Sequence, residues 1–122
     1  MSIILEEKKE IRDLPIWLDE KFCLQAARNN GWPLEYMKNQ TKEICLEAVR
    51  KSGYSLYYVK DQTKTICLEA VKQNGHALES VKNQTEEICL EAVKQDGLAL
   101  VYVEKQTEAL CLRAVKKNGR KW

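Results

Sequence analysis

The chain has 122 residues, 44% of them hydrophobic and 31% charged, with 20 Lys+Arg against 18 Asp+Glu and a formal net charge of +2. That balance excludes a disordered or polyionic chain, and no apolar run reaches the roughly 18 to 20 residues of a membrane span. A single His and an odd set of five Cys, with no export signal, argue against a disulfide framework and leave few groups for acid–base chemistry near neutral pH.

The first element in chain order is a leader, residues 1–18. Its start, MSIILEEKKE, turns to charge after three apolar residues and lacks a signal-peptide core, so a cytoplasmic location is expected. Ile3, Ile4, Leu5, Ile11, Leu14, Ile16, Trp17 and Leu18, interrupted by charges, predict an amphipathic N-terminal cap. From Asp19 onward the chain repeats. Cys23, Cys45, Cys67, Cys89 and Cys111 step by 22 residues, and so do Gly31, Gly53, Gly75, Gly97 and Gly119. A constant period in the twenties reads as a stacked array. The repeat domain, 19–122, divides into units 19–40, 41–62, 63–84, 85–106 and a partial 107–122.

Each unit predicts two short helices. Thr41, with Asp19 in the matching place of the first unit, suits an N-cap, whose side-chain oxygen accepts from a free amide of the first turn. Good helix formers then run over 42–51, 64–73, 86–95 and 108–117, and the glycine that follows suits a left-handed residue ending the helix. The second helices are predicted in WPLEYMK, YSLYYVK, HALESVK and LALVYVE, where Leu56 and Val59 share a face. Helices this short are marginal alone. The expected fold is therefore all-α and single-domain, a set of helical-hairpin repeats stacked as an α-solenoid-like array. The fifth unit lacks a full second helix, which leaves Leu110 and Leu112 without their usual neighbour, and Trp122 covers little of that face. A mobile last helix or a homodimer through the C-terminal end is expected.

Ile44, Cys45, Leu46, Ala48 and Val49 cover a broad arc of the first helix, the pattern of a helix buried between neighbours. Cys45 in that arc is a small buried hydrophobe. Cys of successive units should stand about one helix-packing distance apart, roughly 8–10 Å, beyond disulfide reach. No CxxC pair or Cys/His group offers metal ligands. No cofactor or metal is expected, and the thiols should remain reduced.

The phrase LEAVKQNG at 68–75, followed by ALE-x-V, resembles the repeats of the domain of unknown function 4116 family, found in tandem notably in giant-virus proteins and also in bacterial and protist proteins. The resemblance covers nearly all of 19–122. It implies a helical array and carries no activity, substrate or catalytic residue.

Recurring positions build such a stack, so function falls to positions that change between units. One such column is Trp32, Tyr54, His76 and Leu98. Another is Glu35, Tyr57, Glu79 and Val101, and a third is Tyr36, Tyr58, Ser80 and Tyr102. Tyr and Trp are favoured binding anchors. Trp32, Glu35, Tyr54, Tyr57, His76, Glu79 and Leu98 are the candidate contacts of a non-enzymatic protein-binding module. The resemblance and the small size suggest a virus- or phage-type inhibitor or adaptor acting on a host protein, such as a CRISPR effector or other defence protein. The alternative is a nucleic-acid track along Arg28, Arg50, Lys72, Lys94 and Lys116. However, Glu47, Glu69 and Glu91 lie three residues before Arg50, Lys72 and Lys94 and should neutralise that face. No catalytic residue is assigned, because pairing His76 with a thiol would require a buried-type Cys to reach its turn.

Overall fold

The computed structural model describes residues 19–30, 32–37 and 39–118. The leader 1–18 and Trp122 lie outside the described residues. Among the described residues α-helices alternate with 3-10 helices: α1 (Glu20–Asn30), η1 (Trp32–Tyr36), α2 (Lys42–Lys51), η2 (Gly53–Tyr58), α3 (Lys64–Gln73), η3 (Gly75–Ser80), α4 (Glu86–Gln95), η4 (Gly97–Tyr102) and α5 (Glu108–Asn118). No strand occurs among them. Each 3-10 helix packs on the α-helix of its own unit, on that of the next unit and, up to η4, on the next 3-10 helix. The result is an all-α array with one layer of α-helices and one of 3-10 helices.

The α-helices begin where side-chain chemistry lets them. Thr41, Thr63, Thr85 and Thr107 each accept through Oγ1 from the amide three residues on, at 3.2 to 3.3 Å. Asp19 does so through Oδ1 for Phe22 at 3.2 Å. This removes one of the unpaired donors of the first turn. α2 then buries Ile44, Cys45, Ala48 and Val49, and α3 and α4 bury the same four positions. Together with Leu56, Val59 and their equivalents these residues form one continuous core.

Two expectations are corrected. The second helix of each unit is a 3-10 helix, six residues long in η2, η3 and η4. Bonds from residue i to i+3 close it quickly, as in Ser55 N–H to the Ser52 carbonyl at 3.0 Å and Val59 N–H to the Leu56 carbonyl at 3.1 Å. So short a segment suits the tighter helix. The glycine also has a different task. The α-helix ends on Ser52, Asn74 or Asp96, each in extended backbone with φ near −150°, and the following glycine opens the 3-10 helix. Gly53 and Gly75 are buried because the next unit presses on them, not because of a left-handed turn.

A glutamine ladder holds successive units in register. Gln62 Nε2 donates to the Leu56 carbonyl (3.2 Å) and to the Ser80 carbonyl of the next unit (2.8 Å), while its Oε1 accepts from the Lys82 amide (3.0 Å). Gln40 and Gln84 make the equivalent bonds to Tyr58 and Lys60, and to Tyr102 and Glu104. Among the described residues no buried side-chain nitrogen or oxygen lacks a partner.

The end of the array differs in detail from expectation. Leu110 is buried. The residues left open on α5 are Leu112, 57% exposed, and Val115, 45% exposed, whereas the equivalent Val49, Val71 and Val93 are fully buried.

Candidate functional site

The 3-10 geometry decides which side chains face outward. With about three residues per turn, positions three apart align. In η2 one row, Gly53, Leu56 and then Val59, is buried, and the adjacent row, Tyr54 and Tyr57, points out, 59% and 72% exposed. Leu98 and Val101 repeat the exposed row in η4. Two of the columns that vary between units therefore share one face of the 3-10 layer.

Tyr54, Tyr57 and Tyr58 form one side of an open depression of about 660 Å³, completed by Glu79, Ser80 and Lys82 of the next unit. The Tyr57 and Tyr58 rings meet edge to face, with centroids 5.1 Å apart and planes at 85°. The depression offers apolar ring surface, phenolic hydroxyls, a carboxylate and an ammonium. Such a lining can pack on an apolar group and hydrogen-bond beside it.

Of the residues expected to meet a partner, Tyr54, Tyr57 and Glu79 are brought together here. Leu98 lies on the same face further along the array. Glu35 is exposed on η1, and the side chain of Trp32 lies outside the described residues. His76 makes contacts within the array. Its Nε2 stands 2.9 Å from the accepting Asp96 carboxylate, and its ring meets Tyr102 edge to face at 5.6 Å. It ties the third unit to the fourth and meets no thiol. Lys82, the last residue of the segment HALESVK, was missed as a site residue: it follows the observed η3, which ends at Ser80, and joins the groove only through stacking. In the third column Tyr36 and Tyr102 pack on the core while Tyr58 is exposed.

The basic column is paired with carboxylates at Arg28, Arg50 and Lys94. Arg50 reaches Glu47 of its own helix (3.8 Å) and Glu69 of the next unit (3.5 Å), and Arg28 reaches Glu47 (3.6 Å). Lys94 pairs with Glu91 at 3.7 Å. The expected pairing three residues apart holds at Glu47 and Glu91, whereas Glu69 reaches back to Arg50.

None of the five Cys is in a disulfide, and they are buried at Cys23, Cys45, Cys67 and Cys89 and half-buried at Cys111. Cys45 Sγ–H points to Gln40 Oε1 at 3.8 Å. Burial, with a smaller contribution from the Asp61 charge, pushes its pKa up to about 11. Burial raises Cys23, Cys67 and Cys89 as well. Thiols held neutral in this way are poor nucleophiles and poor metal ligands. Among the described residues no cluster of His, Cys, Asp or Glu could hold a metal ion, and no helix is long and apolar enough to cross a membrane.

Compared with known proteins, the chain matches the family model for Domain of unknown function (DUF4116) in three overlapping windows, residues 19–64, 41–84 and 64–107. No curated protein and no solved structure matches it.

Proposed function

The chain belongs to the Domain of unknown function (DUF4116) family, and on that premise we propose that it is a non-enzymatic protein-interaction module whose docking surface is the row of 3-10 helices. One observation carries this reading. The apolar positions that recur in α2, α3 and α4, Ile44, Cys45, Ala48 and Val49 with their equivalents, are buried, and the large apolar and aromatic side chains left exposed on the 3-10 helices, Tyr54, Tyr57, Tyr58, Leu98 and Val101, stand where the sequence changes between units. Selection for packing accounts for the first set. The second set has the composition of binding anchors, large and amphipathic with few rotatable bonds. The partner's segment lies along the 3-10 layer and is centred on the depression between Tyr57 and Glu79. An inhibitor or adaptor occupying a host protein, as in a virus or phage that blocks a defence protein, is the specific form suggested by the family resemblance.

Affinity capture from the native host tests this, with wild-type protein beside a Tyr54→Ala/Tyr57→Ala variant. A partner held by the wild type and lost by the variant, at unchanged helicity and thermal midpoint, is the expected result. Equal capture by both proteins would move the docking surface elsewhere.

A further inference from the structure

The glutamates that neutralise the basic column stand in register: Glu47, Glu69 and Glu91, in α2, α3 and α4. One step further along, in α5, the same position carries Arg113. A carboxylate is thereby replaced by a guanidinium, a change of two charges at one point of the array. Position 117 is Lys where α3 and α4 have Gln73 and Gln95. Lys94, Arg113, Lys116 and Lys117 consequently line one open depression of about 390 Å³. Among the described residues, the ion pair that reaches this set is Lys94 with Glu91, at 3.7 Å. Elsewhere along the column Arg28 and Arg50 share Glu47, and Arg50 has Glu69 as well. Positive charge that is paired with carboxylates at Arg28 and Arg50 thus accumulates in α5 and the end of α4.

We propose that this cluster is a nucleic-acid contact that takes backbone phosphates. It lies in the α-helical layer and is separate from the tyrosine-lined depression of the 3-10 layer, so neither proposal depends on the other. Four long cations without an apolar or aromatic side chain among them lack the buried anchor that centres a protein–protein hot spot. Phosphodiesters need no such anchor, because neutralisation and counterion release supply the binding energy. The cluster positions a strand and reads no base, so the contact is tolerant of sequence.

Fluorescence anisotropy of the full chain with a labelled mixed-sequence RNA and with a DNA duplex, titrated over a range of KCl, tests the assignment. Neutralisation by four cations predicts a slope of log K against log [salt] of about −3 to −4. Arg113→Glu, which restores the residue type of the second, third and fourth units, should weaken binding at least about tenfold at low salt and flatten the slope by 1 or more. Lys117→Gln, an exposed change at the end of α5, should flatten it by about 1 and serves should Arg113→Glu fail to fold. Arg50→Gln, in the neutralised stretch, should leave binding unchanged. Absence of salt-dependent binding by the wild type, or full binding by Arg113→Glu and Lys117→Gln, would overturn the proposal. So would an acidic poly-glutamate peptide bound as tightly as the nucleic acids, which would identify an acidic protein segment as the ligand.

Discussion

A Cβ placed on Gly53 would stand 2.6 Å from the carbonyl oxygen of Ala70, the alanine of the next unit, and Gly75 has the same relationship to Ala92. The Ala70 carbonyl is itself held, accepting from the Asn74 amide at 2.9 Å. The Gly53 amide donates across the same joint to Gln73 Oε1 at 2.6 Å, and the Gly75 amide to Gln95 Oε1 at 3.0 Å. Backbone therefore meets backbone at these two joints, and Gly53 with Ala70, like Gly75 with Ala92, forms the two sides of one contact.

Gly53→Ala should destabilise the array by roughly 1–3 kcal/mol, the usual range for overpacking a closed contact. The obstacle is a main-chain oxygen, which cannot rotate away. Urea unfolding should give a lower midpoint with an unchanged slope. An unchanged midpoint would show that neighbouring units can separate freely at the joint.

Gln62→Ala should cost about 1–3 kcal/mol, because it leaves the Ser80 carbonyl and the Lys82 amide without their protein partner. Thermal unfolding should report it. Gln106 donates to Leu100 within its own unit at 3.1 Å, so Gln106→Ala is expected to be the milder change.

Alkaline pH should destabilise the protein through its thiols. Burial raises the thiols of Cys23, Cys45, Cys67 and Cys89 above the ordinary 9.0, Cys45 to about 11. Above pH 9 the unfolded chain releases thiol protons that the folded chain keeps, so stability falls as pH rises. The thiol contribution is fully present below pH 9 and is lost as pH climbs toward 11. Cys45→Ala removes one titrating group and should shallow the fall, at the expense of a small cavity. Chemical denaturation across pH 8 to about 11, wild type beside variant, measures it.

Amides of α5 should exchange faster than those of α3. Val115 and Leu112 are open in α5, whereas Val71 is fully buried in α3, and local opening is easier where fewer apolar contacts must be broken. Hydrogen exchange followed by mass spectrometry separates the two peptides. Equal protection of 108–117 and 64–73 would mean that the exposed face is covered in solution.

The α-helical half of each unit was legible from the residues alone. Helices over 42–51, 64–73 and 86–95 fall where the N-cap threonines and helix formers put them, and the buried face of α2 is the Ile44, Cys45, Ala48, Val49 arc that periodicity marks. Of the groove, Tyr54, Tyr57 and Glu79 were marked by their variation between units. Lys82 closes the predicted segment HALESVK, but its place beside the aromatic row follows only from stacking.

Period, caps and burial are written in short windows, where each residue's preference concerns neighbours within about four positions, and an array repeats that local message. What stacking decided lies at longer range. Gln62 bonds across 18 and 20 residues, His76 meets Asp96 across 20, and Arg50 meets Glu69 across 19. Those separations bring side chains together only after one unit is laid on the next. The same step determines that Gly53 must lack a Cβ and that Tyr57 of one unit faces Glu79 of another. Local propensity carries no information about either, because the cause is a distance between units.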